Sequence, residues 1–279
     1  MAGVQYKIVN AATGKVLEVP GTNSAQGSQL DQWDYNGGAN QHWELIDAGN
    51  GLTKFVNAWT GQLLDLTGNN TANGTPIDQW GDNGGANQHW QIIYLGNGLV
   101  KIATSLATGK ILDLPGGNPA DGTHIQIWDD GNGTNQQWQM VMVNVKIVNA
   151  STGKVLEVPG FNTAAGTRMD QWDDNGGANQ RWNIIPIGTG VFKIVSASSG
   201  LLLDITSGAF QGAVVLQWNE TGYPGQHWNL NDAGNGLVKI TNAQAVMSMH
   251  IRGQSAADGA LIELDEYSDP THNWQLTSS

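Results

Sequence analysis

The chain has 279 residues, carries 24 acidic against 12 basic side chains for a formal net charge of −12, and contains no cysteine. The absence of cysteine excludes disulfide bonds, thiolate metal sites and cysteine nucleophiles. The acidic balance argues against nucleic acid and anionic membranes as partners, because both require clustered Lys and Arg. The length is typical of about two domains, each large enough to bury a core.

The first repeat contains four short segments with the pattern of half-buried strands. Residues 6–9 and 15–19 alternate apolar and polar side chains. Residues 30–33 and 43–46 are the third and fourth predicted strands. A period of two is the pattern of a strand with one buried face, and Gly, Asn, Pro and Thr separate the segments. No segment has a sustained helical period. The sequence therefore predicts an all-β protein with about four strands per repeat.

A Gln-x-Trp tripeptide marks the end of each repeat. It occurs five times and once in the altered form His272-Asn273-Trp274, and the six tryptophans are 47, 48, 44, 46 and 46 residues apart. Those tryptophans are Trp43, Trp90, Trp138, Trp182, Trp228 and Trp274. Ten residues before each of the first five stands an upstream tryptophan: Trp33, Trp80, Trp128, Trp172 or Trp218. The chain therefore consists of six repeats of about 46 residues.

Six four-stranded repeats could form one six-bladed propeller or two closed domains of three repeats. Residues 7–21 reappear as residues 146–160 with one change, Ala12 to Ser151, which indicates duplication of a three-repeat unit. Turns of the type Gly-Asn-Gly or Gly-Thr-Gly join neighbouring repeats at residues 49–51, 96–98, 188–190 and 234–236. The turn is missing only between repeats three and four, where residues 140–144 run straight on. We therefore predict two domains, residues 1–143 and 144–279.

Three copies of Gln-x-Trp in each half of the chain resemble the ricin-B-type β-trefoil lectin family. The resemblance covers essentially the whole chain and implies two tandem β-trefoil domains, each of three repeats, that bind carbohydrate. In the family, the tryptophan of Gln-x-Trp packs into the core. The pocket of each repeat uses an acidic residue after the second strand, an aromatic residue on the third strand, and the Asn-Gln that leads into the tryptophan.

The resemblance places a complete candidate sugar-binding set in each of the first four repeats. Repeat one has Glu18, Asp31, Trp33, Asn40 and Gln41, and repeat two has Asp65, Asp78, Trp80, Asn87 and Gln88. Repeat three has Asp113, Gln126, Trp128, Asn135 and Gln136, and repeat four has Glu157, Asp170, Trp172, Asn179 and Gln180. We expect four sites at these positions.

Repeats five and six depart from the pattern. Repeat five keeps Asp204, Trp218 and Gln226. Gly225 replaces the Asn, and Leu216 replaces the polar residue that stands two residues before the upstream tryptophan in the first four repeats. Repeat six has His250 for the acid, Thr271 for the Asn, and either Leu264 or Asp265 for the upstream tryptophan. We expect an incomplete site in repeat five and none in repeat six.

These residue types suit a pyranose, which has one face of C–H groups and a rim of hydroxyls. Asp31 and Trp33 are two residues apart on a strand, so both point to the same side of it. A carboxylate accepts hydrogen bonds from hydroxyls, and an Asn amide both donates and accepts hydrogen bonds. Glu18 and Glu157 are longer than the usual Asp, so we expect repeats one and four to differ in specificity. By resemblance, galactose or N-acetylgalactosamine is the expected sugar, with mannose and xylan as alternatives.

Some of these residues could have a purely structural role instead of binding a sugar. The upstream tryptophans could pack under loops, and Asp65 and Asp113 could cap turns. Trp59 falls outside the repeat phase, and we expect it to pack. The loops at residues 34–37 and 173–176 lack the spaced ligands of a calcium loop, so we predict no metal and no cofactor.

Two other classes of function compete with a lectin. A glycosidase could use Asp129 with Asp130, or Asp173 with Asp174, but neighbours on a strand point apart, and catalysis usually needs one poised pocket instead of four equal ones. A protein-binding or inhibitor-type β-trefoil is the second alternative, although it would not need the same Trp, acid and Asn in every repeat. We predict that the chain is not an enzyme.

The expected partners are glycans on glycoproteins, glycolipids or polysaccharides, which several linked sites would cross-link or agglutinate. Linking weak sites raises avidity by about 10²–10⁴ without any new contact. No apolar run is long enough to span a bilayer, and the first residues lack the pattern of a secretion signal. We expect no nucleic acid partner, no membrane insertion, and a protein that is stored in the cytoplasm or released non-classically. The oligomeric state has no signature in the sequence.

Overall fold

The computed structural model describes residues 3–21, 23–205, 208, 210–266 and 269–278. The chain forms two compact units, one of Gln5–Val141 and one of Met142–Ser279 with Met1–Val4. We call these the N-terminal and the C-terminal unit. The predicted boundary after residue 143 stays a prediction, because the strand Trp138–Asn149 runs through this region without a break. None of the described helices has the length and apolarity that crossing a membrane requires.

The strands of the N-terminal unit are short and follow one another in the predicted order. They are β1 Gln5–Asn10, β2 Val16–Glu18, β3 Ser28–Gln29, β4 Asp31–Trp33, β5 Trp43–Gly49, β6 Leu52–Asn57, β7 Leu63–Leu66, β8 Ile77–Trp80, β9 Trp90–Tyr94, β10 Val100–Thr104, β11 Lys110–Asp113, β12 Thr123–His124, β13 Gln126–Asp129 and β14 Trp138–Asn149. The last of these continues into the C-terminal unit.

The C-terminal unit repeats this order of strands. Its further strands are β15 Val155–Glu157, β16 Asp170–Trp172, β17 Trp182–Gly188, β18 Val191–Ser196, β19 Leu202–Ile205, β20 Val215–Trp218, β21 Trp228–Gly234, β22 Leu237–Asn242, β23 Ser248–Ile251, β24 Ala260–Asp265 and β25 Trp274–Thr277. The strand pairs among the described residues of both units are antiparallel.

Two kinds of three-residue 3-10 helix connect the strands. One kind precedes the tryptophan of each Gln-x-Trp and carries the Asn-Gln pair or its substitutes: Ala39–Gln41, Ala86–Gln88, Thr134–Gln136, Ala178–Gln180, Pro224–Gln226 and Pro270–His272. The other kind follows the second strand of a repeat: Thr67–Asn69, Pro115–Gly117, Pro159–Phe161 and Arg252–Gln254. The two kinds place loop residues beside the acid at the end of the second strand.

Within each unit, three repeats close into a ring. In repeat one, β1 pairs with β2 and β5, and β2 pairs with β4. Repeats two and three use the same pairs, and β14 pairs with β25 to close the C-terminal unit. The connection before each third strand also pairs with a neighbouring repeat, as Ser28–Gln29 does with β8. This threefold arrangement is a β-trefoil, and it confirms the predicted class: all-β, with two tandem β-trefoils of three repeats.

The six tryptophans of the tripeptides form the centre of the two cores. Each is fully buried, and each indole Nε1 donates to a carbonyl of the second strand in its own repeat, as Trp43 does to Leu17 at 3.1 Å and Trp90 to Leu64 at 3.0 Å. Burial of the largest side chain with its one polar atom satisfied combines a large hydrophobic gain with no unpaired donor. Trp59 is different: it is 40% exposed, and the expectation that it packs stays a prediction.

Candidate functional site

The five upstream tryptophans share one environment at the ends of the third strands. Their exposed fractions lie between 41% and 43%, whereas the tryptophans of the tripeptides are at 0%. The edge of each indole rests against a glycine from the loop of another repeat. A Cβ on Gly27 would lie 3.4 Å from Cζ3 of Trp80, and one on Gly122 would lie 3.8 Å from Cζ3 of Trp33. The indoles are therefore held in place and still exposed.

Asp65 shows how the acid of a pocket is oriented. The Asn87 amide donates to both carboxylate oxygens at 2.8 Å, and the Gln88 amide donates to Oδ2, also at 2.8 Å. Desolvation by burial raises the pKa of Asp65, and the two amide donors oppose that rise. Charge-assisted hydrogen bonds of this kind fix a carboxylate in one orientation.

Repeats one and four hold their acid differently because it is glutamate. The Gln41 amide donates to Glu18 Oε2 at 2.7 Å, but the Asn40 amide is 3.3 Å from that oxygen and donates at 3.0 Å to the carbonyl of Val19. Glu157 has the same arrangement. The extra methylene thus leaves one oxygen of each glutamate outside the amide pair. The predicted difference in specificity between these repeats and repeats two and three stays a prediction, and this difference in geometry is consistent with it.

A second acid faces the first in three of the four complete pockets. Asp31 lies opposite Glu18, Asp78 opposite Asp65, and Asp170 opposite Glu157 across the pair of second and third strands. Burial, and then the facing acid, raises the pKa of Asp31 to about 7 and that of Asp170 to about 7. Burial raises the pKa of Asp78 to about 6. In each of the three, Oδ1 is buried without a hydrogen-bond partner.

Repeat three has an amide where the other three pockets have this second acid. The Gln126 amide donates to Asp113 Oδ2 at 2.7 Å, and the Asn135 amide donates to Asp113 Oδ1 at 2.8 Å. Together with Trp128, these residues line a cleft of about 630 Å³. The Gln136 amide turns to the carbonyl of Asp129 at 2.9 Å.

The glutamines of the tripeptides are buried behind the pockets. Gln41, Gln88, Gln136 and Gln180 are at most 3% exposed. Each side-chain oxygen accepts from a backbone N–H of the preceding loop, at Asn36, Asn83, Gly131 or Asn175. Their amides hold the acid or the loop, so the structure gives them a positioning role. Their contact with a sugar stays a prediction, as does that of the other predicted site residues.

A glycine two residues before the pocket asparagine makes room for its amide oxygen. A Cβ on Gly85 would lie 2.4 Å from Asn87 Oδ1, and the values at Gly38, Gly133 and Gly177 are 2.4, 2.3 and 2.5 Å. In repeat five, where Gly225 replaces the asparagine, this position is Tyr223. In the sequence of repeat five, the glycine and the asparagine are replaced together. This joint replacement could have identified the glycines as part of the pocket.

Repeat five keeps the acid and the indole in an altered cleft. Asp204 Oδ2 accepts from the Gln226 amide at 2.9 Å, and Oδ1 accepts from the backbone of Ile205 at 2.7 Å. A cleft of about 540 Å³ lies between Asp204, Leu216, Trp218 and Tyr223. Gly225 supplies no side-chain amide here, and the lining of this cleft is more apolar than that of the cleft in repeat three.

Repeat six has lost the pocket to a cluster of charged residues. The register pairs His250 with Glu263 and Ser248 with Asp265, so Asp265 stands where the other repeats have tryptophan, and Leu264 is buried in the core. Ligand atoms of His250, Asp265 and His272 lie within 4.8 Å of one another, as in a metal site. However, the two imidazoles stack with planes 8° apart and centroids 4.9 Å apart. The in-plane lone pairs of stacked rings do not converge on one ion, so this arrangement carries no metal assignment.

The family follows from comparison with known proteins. The model of the family described as ricin-type beta-trefoil lectin domain-like matches residues 1–80, 86–172, 141–218 and 179–265. The chain belongs to this family. Its membership supports carbohydrate binding in general. A search of curated proteins gave no match.

Several solved structures are similar to parts of this lectin-like chain. ThreeFoil, a designed threefold-symmetric protein, is 34% identical over 49% of this chain and 96% of its own, with a TM-score of 0.48. The ricin B-like lectin of Macrolepiota procera in complex with lactose is 26% identical over 50% and 96%, with a TM-score of 0.44. The Rhizoctonia solani agglutinin is 23% identical over 50% and 95%, with a TM-score of 0.45.

The four aspartates that the sequence offers as glycosidase acids form ion pairs with lysines. Asp129 forms an ion pair with Lys110, and Asp130 with Lys101. These lysines hold the pKa of both carboxyls below the usual value. Asp173 forms an ion pair with Lys154, and Asp174 forms one with Lys146. A group of this kind is a poor general acid at neutral pH.

Buried glutamines on the third strands are part of the lectin fold that the sequence interpretation missed. Gln32, Gln79, Gln171 and Gln217 are each at 0% exposure. The Gln79 amide donates to the carbonyls of Asn23 and Ala25 at 2.9 and 3.1 Å, and its oxygen accepts from Thr60. Residues 23 and 25 lie in the same loop as Gly27, which touches Trp80. The glutamines therefore hold the loops that support the exposed indoles.

Proposed function

We propose that this protein is a multivalent lectin that binds glycans ending in galactose or N-acetylgalactosamine and cross-links the surfaces that carry them. One observation carries the proposal: four repeats present a half-exposed indole beside a buried carboxylate that lies within hydrogen-bond distance of an Asn amide. Because the residues recur at equivalent places of two threefold rings, they serve several copies of one ligand. A single reaction centre would not need that repetition.

The chemistry of one pocket fits one terminal sugar ring. The C–H face of the ring stacks on the indole, for example Trp80. Asp65 accepts hydrogen bonds from two neighbouring hydroxyls, and the amide oxygen of Asn87 accepts one from a third. The axial hydroxyl of galactose leaves an apolar patch on the opposite face for the indole. Such a site is weak by itself, on the order of millimolar, and linked sites add avidity.

The proposal includes the absence of catalysis. An acid with a raised pKa beside a second acid, such as Asp31 beside Glu18, is an arrangement that hydrolases use. Here the free oxygen of Asp31 is buried away from solvent, and the same pair recurs in three repeats. A general acid must reach the bond that breaks, and Oδ1 of each of these three acids is buried. We therefore infer binding without turnover.

A glycan array tests the proposal. The labelled protein is compared with a variant in which Trp33, Trp80, Trp128 and Trp172 are all Ala. Truncation of half-exposed side chains leaves both cores intact. Trp59→Ala is the matched control, because Trp59 is also about two-fifths exposed but lines none of the described clefts.

We expect the protein and the Trp59→Ala control to bind glycans with terminal galactose or N-acetylgalactosamine, and the fourfold variant to lose that binding by at least tenfold. Binding to another sugar class would contradict the specificity only. No binding to any glycan by the parent protein would contradict the lectin and leave a protein-binding β-trefoil as the better account.

A further inference from the structure

Phe161 is an exposed aromatic residue in a left-handed turn. It ends the Pro159–Phe161 helix with φ 56° and is 55% exposed. A bulky side chain at positive φ is a genuine outlier, and a phenyl group that is more than half exposed gains less from burial than one in the core. The turn itself therefore does not require a phenyl group.

Other repeats show that the turn itself accepts small or polar residues. The equivalent positions hold Asn69 in repeat two, Gly117 in repeat three and Gln254 in repeat six, with φ 57°, 63° and 54°. Thr22 is the equivalent residue of repeat one in the sequence and lies outside the described residues. Asn and Gly are the residues that favour this conformation. Among these positions, only repeat four has a large apolar side chain.

The phenyl ring lies against the loop of its own pocket. A Cβ on Gly177 would be 2.8 Å from Phe161 Cζ and 2.5 Å from Asn179 Oδ1, so the ring tip and the pocket amide meet at the same residue. In repeat three, the counterpart of Gly177 is Gly133, which lines the cleft together with Trp128. The ring therefore borders the pocket at its rim.

We propose that Phe161 gives the pocket of repeat four a second aromatic wall, which binds the second sugar ring of a glycan whose terminal ring stacks on Trp172. The inference rests on the proposed function and adds a subsite to it. Repeats one and four share the same acid pair, indole, Asn and Gln, so they bind the same terminal sugar and differ at the second ring. A phenyl face offers the C–H face of that second ring the same contact that the indole offers the first.

The test isolates repeat four in the full chain. Trp33, Trp80, Trp128 and Trp218 are changed to Ala, and calorimetry compares methyl β-galactoside with lactose, whose galactose carries a second ring. Phe161→Asn installs the residue that repeat two has at φ 57°, so the turn is preserved. We expect the chain with Phe161 to bind lactose about three- to tenfold more tightly than the monosaccharide, the range of one aromatic contact. Phe161→Asn should bring that ratio close to one with the monosaccharide affinity unchanged.

A reciprocal variant makes the result decisive. In a chain with only repeat two intact, Asn69→Phe should create a preference for lactose that the parent lacks. An unchanged ratio in Phe161→Asn overturns the subsite and leaves the lectin standing. Equal losses for both sugars, with a lower melting temperature, overturn it too, since they would show a structural role. If neither probe binds the parent chain, the galactose specificity fails, and the subsite fails with it.

Discussion

Asp31, Asp78 and Asp170 are buried acids that each face another acid across two strands, and their protonation links pH to stability. Burial and the neighbouring Glu18 and Asp121 raise the pKa of Asp31 to about 7 from 3.8. The folded chain therefore keeps a proton that the unfolded chain releases above about pH 4. The contribution of this group to stability is fully present below about pH 4 and is lost as the pH rises towards 7.

We expect Asp31→Asn to raise the melting temperature at pH 8 and to change it little at pH 4, because the amide is neutral at both pH values. Differential scanning calorimetry at the two pH values measures this difference. Repeat three offers the matched reverse change, since Gln126 occupies the equivalent position. Gln126→Asp should lower the melting temperature at pH 8 more than at pH 4. Equal effects of Asp31→Asn at both pH values would contradict the assignment.

The sequence predicts residue types better than it predicts residue roles. The regular spacing of Gln-x-Trp predicted the positions of the core tryptophans and of the upstream tryptophans, because a motif that recurs at a fixed spacing occupies equivalent positions in each repeat. The role of Gln88 was not predictable, because its burial depends on the loop at residues 81–83 that folds over it. The pairing of Asp78 with Asp65 was likewise invisible, because cross-strand neighbours depend on register.

At the scale of elements, each pocket is supported by a loop from a neighbouring repeat. Gln79 holds the backbone of the loop at residues 23–25, and the glycine of that loop touches Trp80. In repeat four, Gln171 holds the loop at residues 255–257 in the same way. Buried carbonyls require a donor, so these glutamines couple the folding of neighbouring repeats to the shape of the pockets.

We expect Gln79→Leu to lower the free energy of unfolding by roughly 2 kcal/mol, because the change leaves two loop carbonyls without their donor. Urea denaturation followed by fluorescence measures the loss. Gln91→Leu, at an exposed position of β9, is the control and should have little effect. If both variants lose the same stability, the glutamine does not hold the loop.

The order of elements was predictable, while their partners in other repeats were not. The alternation of apolar and polar residues, together with the turn residues between the segments, predicted the positions of strands in repeat one, such as β1 and β5. In repeat six, a choice between Leu264 and Asp265 stayed open until the pairing of β23 with β24 placed Asp265 at the tryptophan position. A one-residue slip reverses the face of every side chain, so register is information that a short, irregular strand does not carry in its sequence.

At the scale of the whole molecule, the central claim is that the chain offers several equivalent sugar pockets. Two rings of three repeats contain four pockets with a complete acid, Asn and indole, one altered pocket in repeat five, and a charged cluster in repeat six. Several weak pockets on one chain allow a lectin to bind a surface that carries many glycans, although one pocket alone binds weakly. Because the chain has a net charge of −12, we expect hydrogen bonds and stacking, and not positive charge, to provide this recognition.

The most direct test is the number of sugars that one chain binds at saturation. Equilibrium dialysis with the monovalent sugar identified by the array counts them for the parent protein, for Trp80→Ala and for the control Trp59→Ala. The account predicts at least four equivalents for the parent, one fewer for Trp80→Ala, and no change for Trp59→Ala. A single equivalent per chain, or a count that does not change in Trp80→Ala, would contradict the account of repeated pockets.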